Sequence, residues 1–168
     1  MTLRIFGIAG WKNSGKTTLT ERLVGELTRR GRKVSTVKHA HHAFDIDKEG
    51  TDSYRHRQAG AAEVAIVSGN RWALMHELRD EAEPTLDAIL ARLAPCDIVL
   101  VEGYKREAHP KIETRRLAAK DTRPLAPDDR SILAVAADHA VERAAVPVFH
   151  IDDIVAIADF IELQTGLT

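Results

Sequence analysis

Eight consecutive residues carry the clearest chemistry in the chain. Gly10-Trp11-Lys12-Asn13-Ser14-Gly15-Lys16-Thr17 fits the pattern G-x-x-x-x-G-K-[ST]. Glycines at its two ends let the backbone curl so that successive N–H groups point inward, toward an anion. Lys16 is placed to reach the β- and γ-phosphates of a nucleotide, and the Thr17 hydroxyl to ligate Mg²⁺. Gly10, Asn13, Ser14, Gly15, Lys16, Thr17 and Thr18 form the predicted phosphate site. Lys12 reads as a solvated loop cation, because the position directly after Gly10 is held by Trp11.

A second candidate is Glu102. Asp97-Ile98-Val99-Leu100-Val101-Glu102-Gly103 is an apolar run with a carboxylate at its carboxyl end, where open α/β sheets bind ligands. Glu102 could hold the Mg²⁺ shell or orient a water, which makes it the candidate catalytic group. Asp45 or Asp47 is expected to add a second acidic contact to Mg²⁺. Both follow His39, His41 and His42, a histidine cluster that reads as a mobile loop near the γ-phosphate rather than a zinc site. Asp138 ends another apolar run and could accept from guanine N1 and N2, although strand-ending aspartates are also common turn formers.

The elements that must position these groups follow from periodicity. Arg4–Ala9, Val34–Lys38, Ile98–Val101, Ile132–Ala136 and Val146–His150 read as buried strands. Lys16–Arg30 carries Leu19, Leu23 and Leu27 at helical spacing and stops at Gly31. Thr51–Ala59 and Pro84–Leu93 read as helices. A last one is marked by Ile154, Ile157, Ala158 and Ile161, with Asp152 or Asp153 as its cap. Ala62–Val67 and Arg71–His76, joined by Ser68-Gly69-Asn70, read as a β-hairpin that could add to a second subunit. The predicted fold is α/β and P-loop NTPase-like, in three layers. Its sheet is mostly parallel with helices on both faces, plus the hairpin.

The 168 residues and 18.6 kDa suit a single nucleotide-binding domain spanning 1–168. Within it, 103–129 reads as a basic excursion, a long loop rather than a linker. Seven Lys or Arg stand against three acids between Gly103 and Arg123, which suits a phosphorylated ligand or an acidic partner. Over the whole chain Lys plus Arg is 24 and Asp plus Glu is 25, a net charge of −1, and nucleic acid or an anionic membrane is not an expected partner. The single cysteine, Cys96, points to a reducing, cytoplasmic setting.

Taken together, several segments resemble the molybdopterin-guanine dinucleotide biosynthesis adaptor (MobB) family over roughly Leu3 to Ile161. They are the phosphate loop, Lys38-His39-Ala40-His41-His42 with Phe44-Asp45-Ile46-Asp47, Gly50 to Arg55, the turn at Ala59-Gly60-Ala61, Val101 to Lys105, and Lys111-Ile112-Glu113. The resemblance implies a cytoplasmic P-loop protein that binds GTP with Mg²⁺, usually as a homodimer, with weak GTPase activity at most. It implies that the protein assists the nucleotidyltransferase joining GMP to molybdopterin, with the molybdenum cofactor itself a further candidate partner. By the same resemblance Lys16 and Thr17 carry the phosphate and Mg²⁺ contacts, and Glu102 takes the Walker B place. A P-loop small-molecule kinase is the rival expectation, with Arg115, Arg116 or Arg123 clamping the transferred phosphate.

Overall fold

The computed structural model describes residues 3–40 and 44–167. They fall into two compact units. One joins the chain up to His39 with the chain from Leu93 onward; the other runs from Ala40 to Arg92.

The first unit is built on a six-stranded sheet in which all strands are parallel. In spatial order these are β2 (Val34–Lys38), β5 (Ile98–Glu102), β1 (Ile5–Ala9), β6 (Lys111–Arg115), β7 (Ile132–Ala137) and β8 (Val148–His150). Side chains alternate across a strand, so Phe6, Ile8, Ile98, Leu100, Ile112, Ala134 and Ala136 share one face. Against it pack Leu19, Leu23 and Leu27 of α1 (Lys16–Arg29) and Ile157, Ala158 and Ile161 of α4 (Ile154–Thr165), all buried. Truncating a leucine in such a core costs about 2–5 kcal/mol.

The two faces of the sheet are covered differently within this unit. Within this unit both helices lie on the first face. On the second, where Lys111 and Glu113 emerge, non-helical chain from 105–129 supplies their partners. The excursion also holds a strand that the sequence reading missed: β6 lies inside the sheet between β1 and β7. Its sequence, Lys-Ile-Glu-Thr-Arg, alternates charged and neutral residues and so reads as solvated. Lys111 and Glu113 are nevertheless fully buried. Lys111 Nζ donates to the Lys105 and Glu107 carbonyls and to Asp129 Oδ2. Glu113 accepts from the Leu125 and Ala126 amides, both at 2.9 Å, and from Arg115 at 2.7 Å. Buried charges persist when every donor and acceptor is matched in this way.

The second unit holds α2 (Asp52–Gln58), the antiparallel hairpin of β3 (Glu63–Val67) and β4 (Trp72–His76), and α3 (Leu86–Leu90). The last helix is shorter than the predicted Pro84–Leu93. The Thr85 hydroxyl caps it from the Ala88 amide, which fixes its start beyond Pro84, and Arg92 N turns back onto Ile89 O. Among the described residues no helix is long and apolar enough to cross a membrane.

Candidate functional site

The loop between β1 and α1 requires its glycines. Gly10 has φ +149°, and a Cβ there would fall 2.4 Å from Ser14 Oγ and 2.5 Å from Thr114 Oγ1. Those two hydroxyls bond each other at 2.7 Å, and Thr114 also reaches the Ala9 carbonyl, so the loop is sewn to β6. Asn13 (φ +64°) and Gly15 (φ +97°) adopt the left-handed conformations that curl the backbone toward α1.

Helix α1 begins differently from the other three helices of the described residues. Thr51, Thr85 and Asp153 cap α2, α3 and α4 with a side-chain oxygen. Gly15 supplies no such oxygen to α1, and no acid occupies its first turn. The orphan amides and the positive end of the helix dipole therefore lack a protein anion. Lys16 stands beside them, and its Nζ donates to the Trp11 carbonyl at 2.7 Å. Partial burial lowers the Lys16 pKa below the usual lysine range; Glu102 opposes the shift, and Lys105 and Lys38 add to it.

Glu102 closes the other side. Parallel pairing aligns it with Ile8 of β1 and Lys38 of β2, so the sheet register carries it to the phosphate loop. It is almost fully buried; its Oε1 accepts from Thr17 Oγ1 at 2.7 Å and lies 3.5 Å from Lys38 Nζ. The backbone then turns at Gly103 (φ +93°), whose N–H donates to the Ile8 carbonyl. A hydroxyl and a carboxylate side by side offer the hard oxygen donors Mg²⁺ takes while keeping water and phosphate ligands.

The remaining predicted residues are distributed unevenly. Ser14 is buried in the loop and Thr18 is exposed on α1. Asp138 follows β7; its Oδ1 accepts from the Leu117 amide at 3.1 Å and contacts His139 Nδ1 at 2.8 Å, and His139 holds its pKa below the ordinary aspartate value. Asp45 and Asp47 belong to the second unit. Arg57 binds both oxygens of Asp45 at 2.9 Å, while Asp47 accepts from Thr51, Ser53 and Arg57. His39 donates its backbone N–H to the Glu102 carbonyl; His41 and His42 lie outside the described residues. Among the described residues no cluster of three or more His, Cys, Asp or Glu is placed to hold a metal.

Sequence reasoning missed Thr114 and Lys38. Thr114 was hidden by the unread strand β6, and Lys38 gains its meaning only from strand order. It missed as well the bracket around Trp11, whose ring has Lys105 Nζ 4.0 Å and Arg123 Cζ 4.9 Å from its centroid and whose Nε1 donates to the Arg123 carbonyl.

A parallel sheet, a glycine-bounded loop feeding an uncapped helix, and a carboxylate on the neighbouring strand define an α/β protein of the P-loop NTPase type. Comparison with known proteins narrows this. The family model for MobB, molybdopterin guanine dinucleotide synthesis protein B, matches residues 5–138, and the chain belongs to that family. It is 41% identical over 160 residues to the molybdopterin-guanine dinucleotide biosynthesis adapter protein of Haemophilus influenzae, covering 94% of this chain and 87% of that one. With the protein of the same name from Escherichia coli it shares 39% over 159 residues, covering 94% and 90%. The fold is similar to the crystal structures of a MobB homolog from Bacillus stearothermophilus (TM-score 0.71, 29% identity, 98% and 99% coverage) and of Bacillus subtilis MobB (TM-score 0.73, 27%, 97% and 98%).

Proposed function

We infer that this chain is a GTP-binding adaptor that assists the attachment of GMP to molybdopterin, acting beside the guanylyl-transferring enzyme in the cytoplasm. The observation that carries the nucleotide reading is the uncapped start of α1, with Lys16 beside it and the Thr17–Glu102 pair at its first turn. Gly10 to Thr17 would hold the phosphates, and Thr17 with Glu102 would hold Mg²⁺, whose charge offsets that of the phosphates. Turnover is weak in this reading, since Glu102 is already engaged by Thr17 and Lys38. The names of the relatives favour an adaptor over the kinase. Two of the kinase reading's arginines are also paired, Arg115 with Glu113 and Arg123 with Asp121.

Calorimetric titration with GTP and ATP, each with and without Mg²⁺, tests this. GTP is expected to bind more tightly than ATP and to need Mg²⁺, and Thr17→Val is expected to abolish the Mg²⁺ dependence. Tighter binding of ATP would overturn the guanine assignment. Capture of the guanylyltransferase in a GTP-dependent manner tests the partner.

A homodimer formed through the hairpin belongs to the same reading. Ala65, Val67, Trp72 and Leu74 share one exposed face of β3–β4, with Val67 75% and Trp72 71% exposed. A second copy of the same hairpin would bury that face. Light scattering should give twice the chain mass, and Trp72→Glu should give monomer.

A further inference from the structure

The seven cations between 103 and 123 do not have equal standing. Lys111 is spent on Asp129 and two carbonyls, Arg115 on Glu113, Arg123 on Asp121, and Lys105 rests on the Trp11 ring. Arg116 makes no side-chain hydrogen bond or ion pair with any described residue. It is nevertheless laid against the phosphate loop: a Cβ on Gly15 would come within 2.7 Å of Arg116 Nε and 3.1 Å of its Cζ. The missing side chain of Gly15 is what makes room for it.

This position is held from both sides. Asp138 donates its N–H to the Arg115 carbonyl at 3.3 Å, and its carboxylate accepts from the Leu117 amide at 3.1 Å. Both peptide neighbours of Arg116 are thereby fixed to the end of β7. A guanidinium is thus held beside the positive end of α1, where Lys16 already suffers from neighbouring cations. The nearby carboxylate, Glu102, is engaged with Thr17 and Lys38. Such a gathering of positive charge is repulsive on its own and becomes favourable around a multivalent anion.

We propose that Arg116 binds the phosphate chain of the nucleotide, as a second cation contributed from the residue just after β6, beside Lys16. This rests on the nucleotide reading above. The planar fork of arginine suits two phosphate oxygens at once, which a lysine ammonium cannot match. In this role Arg116 positions the ligand. Asp138, singled out in the sequence as a guanine contact, acts through the backbone to hold Arg116 in place.

The test titrates the full chain, with Mg²⁺, with GTP and separately with inorganic tripolyphosphate, which lacks base and ribose. Arg116→Gln should weaken both ligands by about tenfold or more, the usual loss for a charge-assisted hydrogen bond. Arg116→Lys should restore part of the loss and guards against a folding defect in the glutamine variant. Arg106→Gln removes an exposed charge from the same segment and should change affinity by less than about twofold. Unchanged affinity in Arg116→Gln, beside a clear loss in Lys16→Ala, overturns this proposal and leaves the nucleotide reading intact. Loss for GTP alone, with tripolyphosphate unaffected, also overturns it, because the arginine would then be reading the base. A wild-type chain that binds neither ligand overturns both.

Discussion

Two lysines of the same unit, one on a strand and one at the start of a helix, show how this molecule separates structural charge from functional charge. Lys111, at the start of β6, is completely buried and has an acceptor for every N–H: the Lys105 and Glu107 carbonyls and the Asp129 carboxylate. Lys16, at the carboxyl edge, is partly buried, has one carbonyl acceptor, and has its charged form disfavoured by burial and by Lys105 and Lys38. The first ammonium is complete within the protein. The second gains from an external anion, which is the electrostatic condition for binding one. The acids divide similarly. Glu113 is saturated by two amides and Arg115, whereas Glu102 shares one oxygen between Thr17 and Lys38.

The sharpest way to break this comparison is Lys111→Met. The variant leaves two carbonyls without a donor and the Asp129 carboxylate with Ser131 alone, and removing a buried charged hydrogen-bond partner costs about 1–3 kcal/mol. Urea unfolding should show that loss. A change below about 1 kcal/mol would mean that Lys111 is not the structural partner it is taken for here. Lys16→Ala should behave in the opposite way. Nucleotide affinity should fall by about tenfold to a hundredfold, as expected when a charged hydrogen-bond donor to phosphate is removed. The unfolding free energy should move by less than about 1 kcal/mol, because the lost partner is a single carbonyl. Equal affinity in that variant would remove the functional half of the contrast.

The same distinction explains what could be read from the chain. The leucine stripe of α1, the run of β5 and the glycines of the loop announce themselves, because their burial or backbone conformation is written in local residue types. Strand β6 does not. Its burial depends on Asp129, Leu125 and Ala126, which lie 12 to 18 residues further on, and on carbonyls of the segment before it. Period-2 alternation of charged and neutral residues is the ordinary mark of a solvated face, so a strand with satisfied charges on its buried face is misread. Arg116 was legible as a cation but not as a neighbour of Gly15, since strand order brings them together. Lys38 and Glu102 meet for the same reason, through the β2–β5 register.

His109 extends the comparison to pH. Its ring lies on Gly7, where a Cβ would come 2.4 Å from Nε2, and neither ring nitrogen has a hydrogen-bond partner among the described residues. Burial pushes its pKa down to about 4, and Lys111 adds to the shift against Asp129. The folded protein thus keeps this imidazole neutral at pH values where the unfolded chain, titrating near 6.5, takes up a proton. Stability present above pH 6.5 is therefore lost as pH falls from 6.5 toward 4. His109→Phe should flatten the decline over that window in unfolding experiments, whatever its effect at neutral pH; parallel curves would show that another group carries it. His76 does not confuse the reading. Glu63 and Glu81 raise its pKa, so its contribution is lost only as pH rises above 6.5.

The smallest expected effect is the most direct check on the phosphate loop, because it compares two lysines four residues apart. Lys12 lies in the same loop as Lys16 and carries the same charge, but it is exposed and makes no hydrogen bond or ion pair with any described residue. If general positive charge near the loop were what binds the nucleotide, Lys12→Ala and Lys16→Ala would weaken GTP to similar extents, and both losses would vanish at high salt. If binding depends on the particular ammonium beside the uncapped amides of α1, Lys12→Ala should change affinity by less than about twofold at physiological salt, where exposed charges are largely screened. The Lys16→Ala defect should then persist at raised ionic strength, since a partly desolvated contact is screened much less. Titrations of both variants at two salt concentrations separate the alternatives.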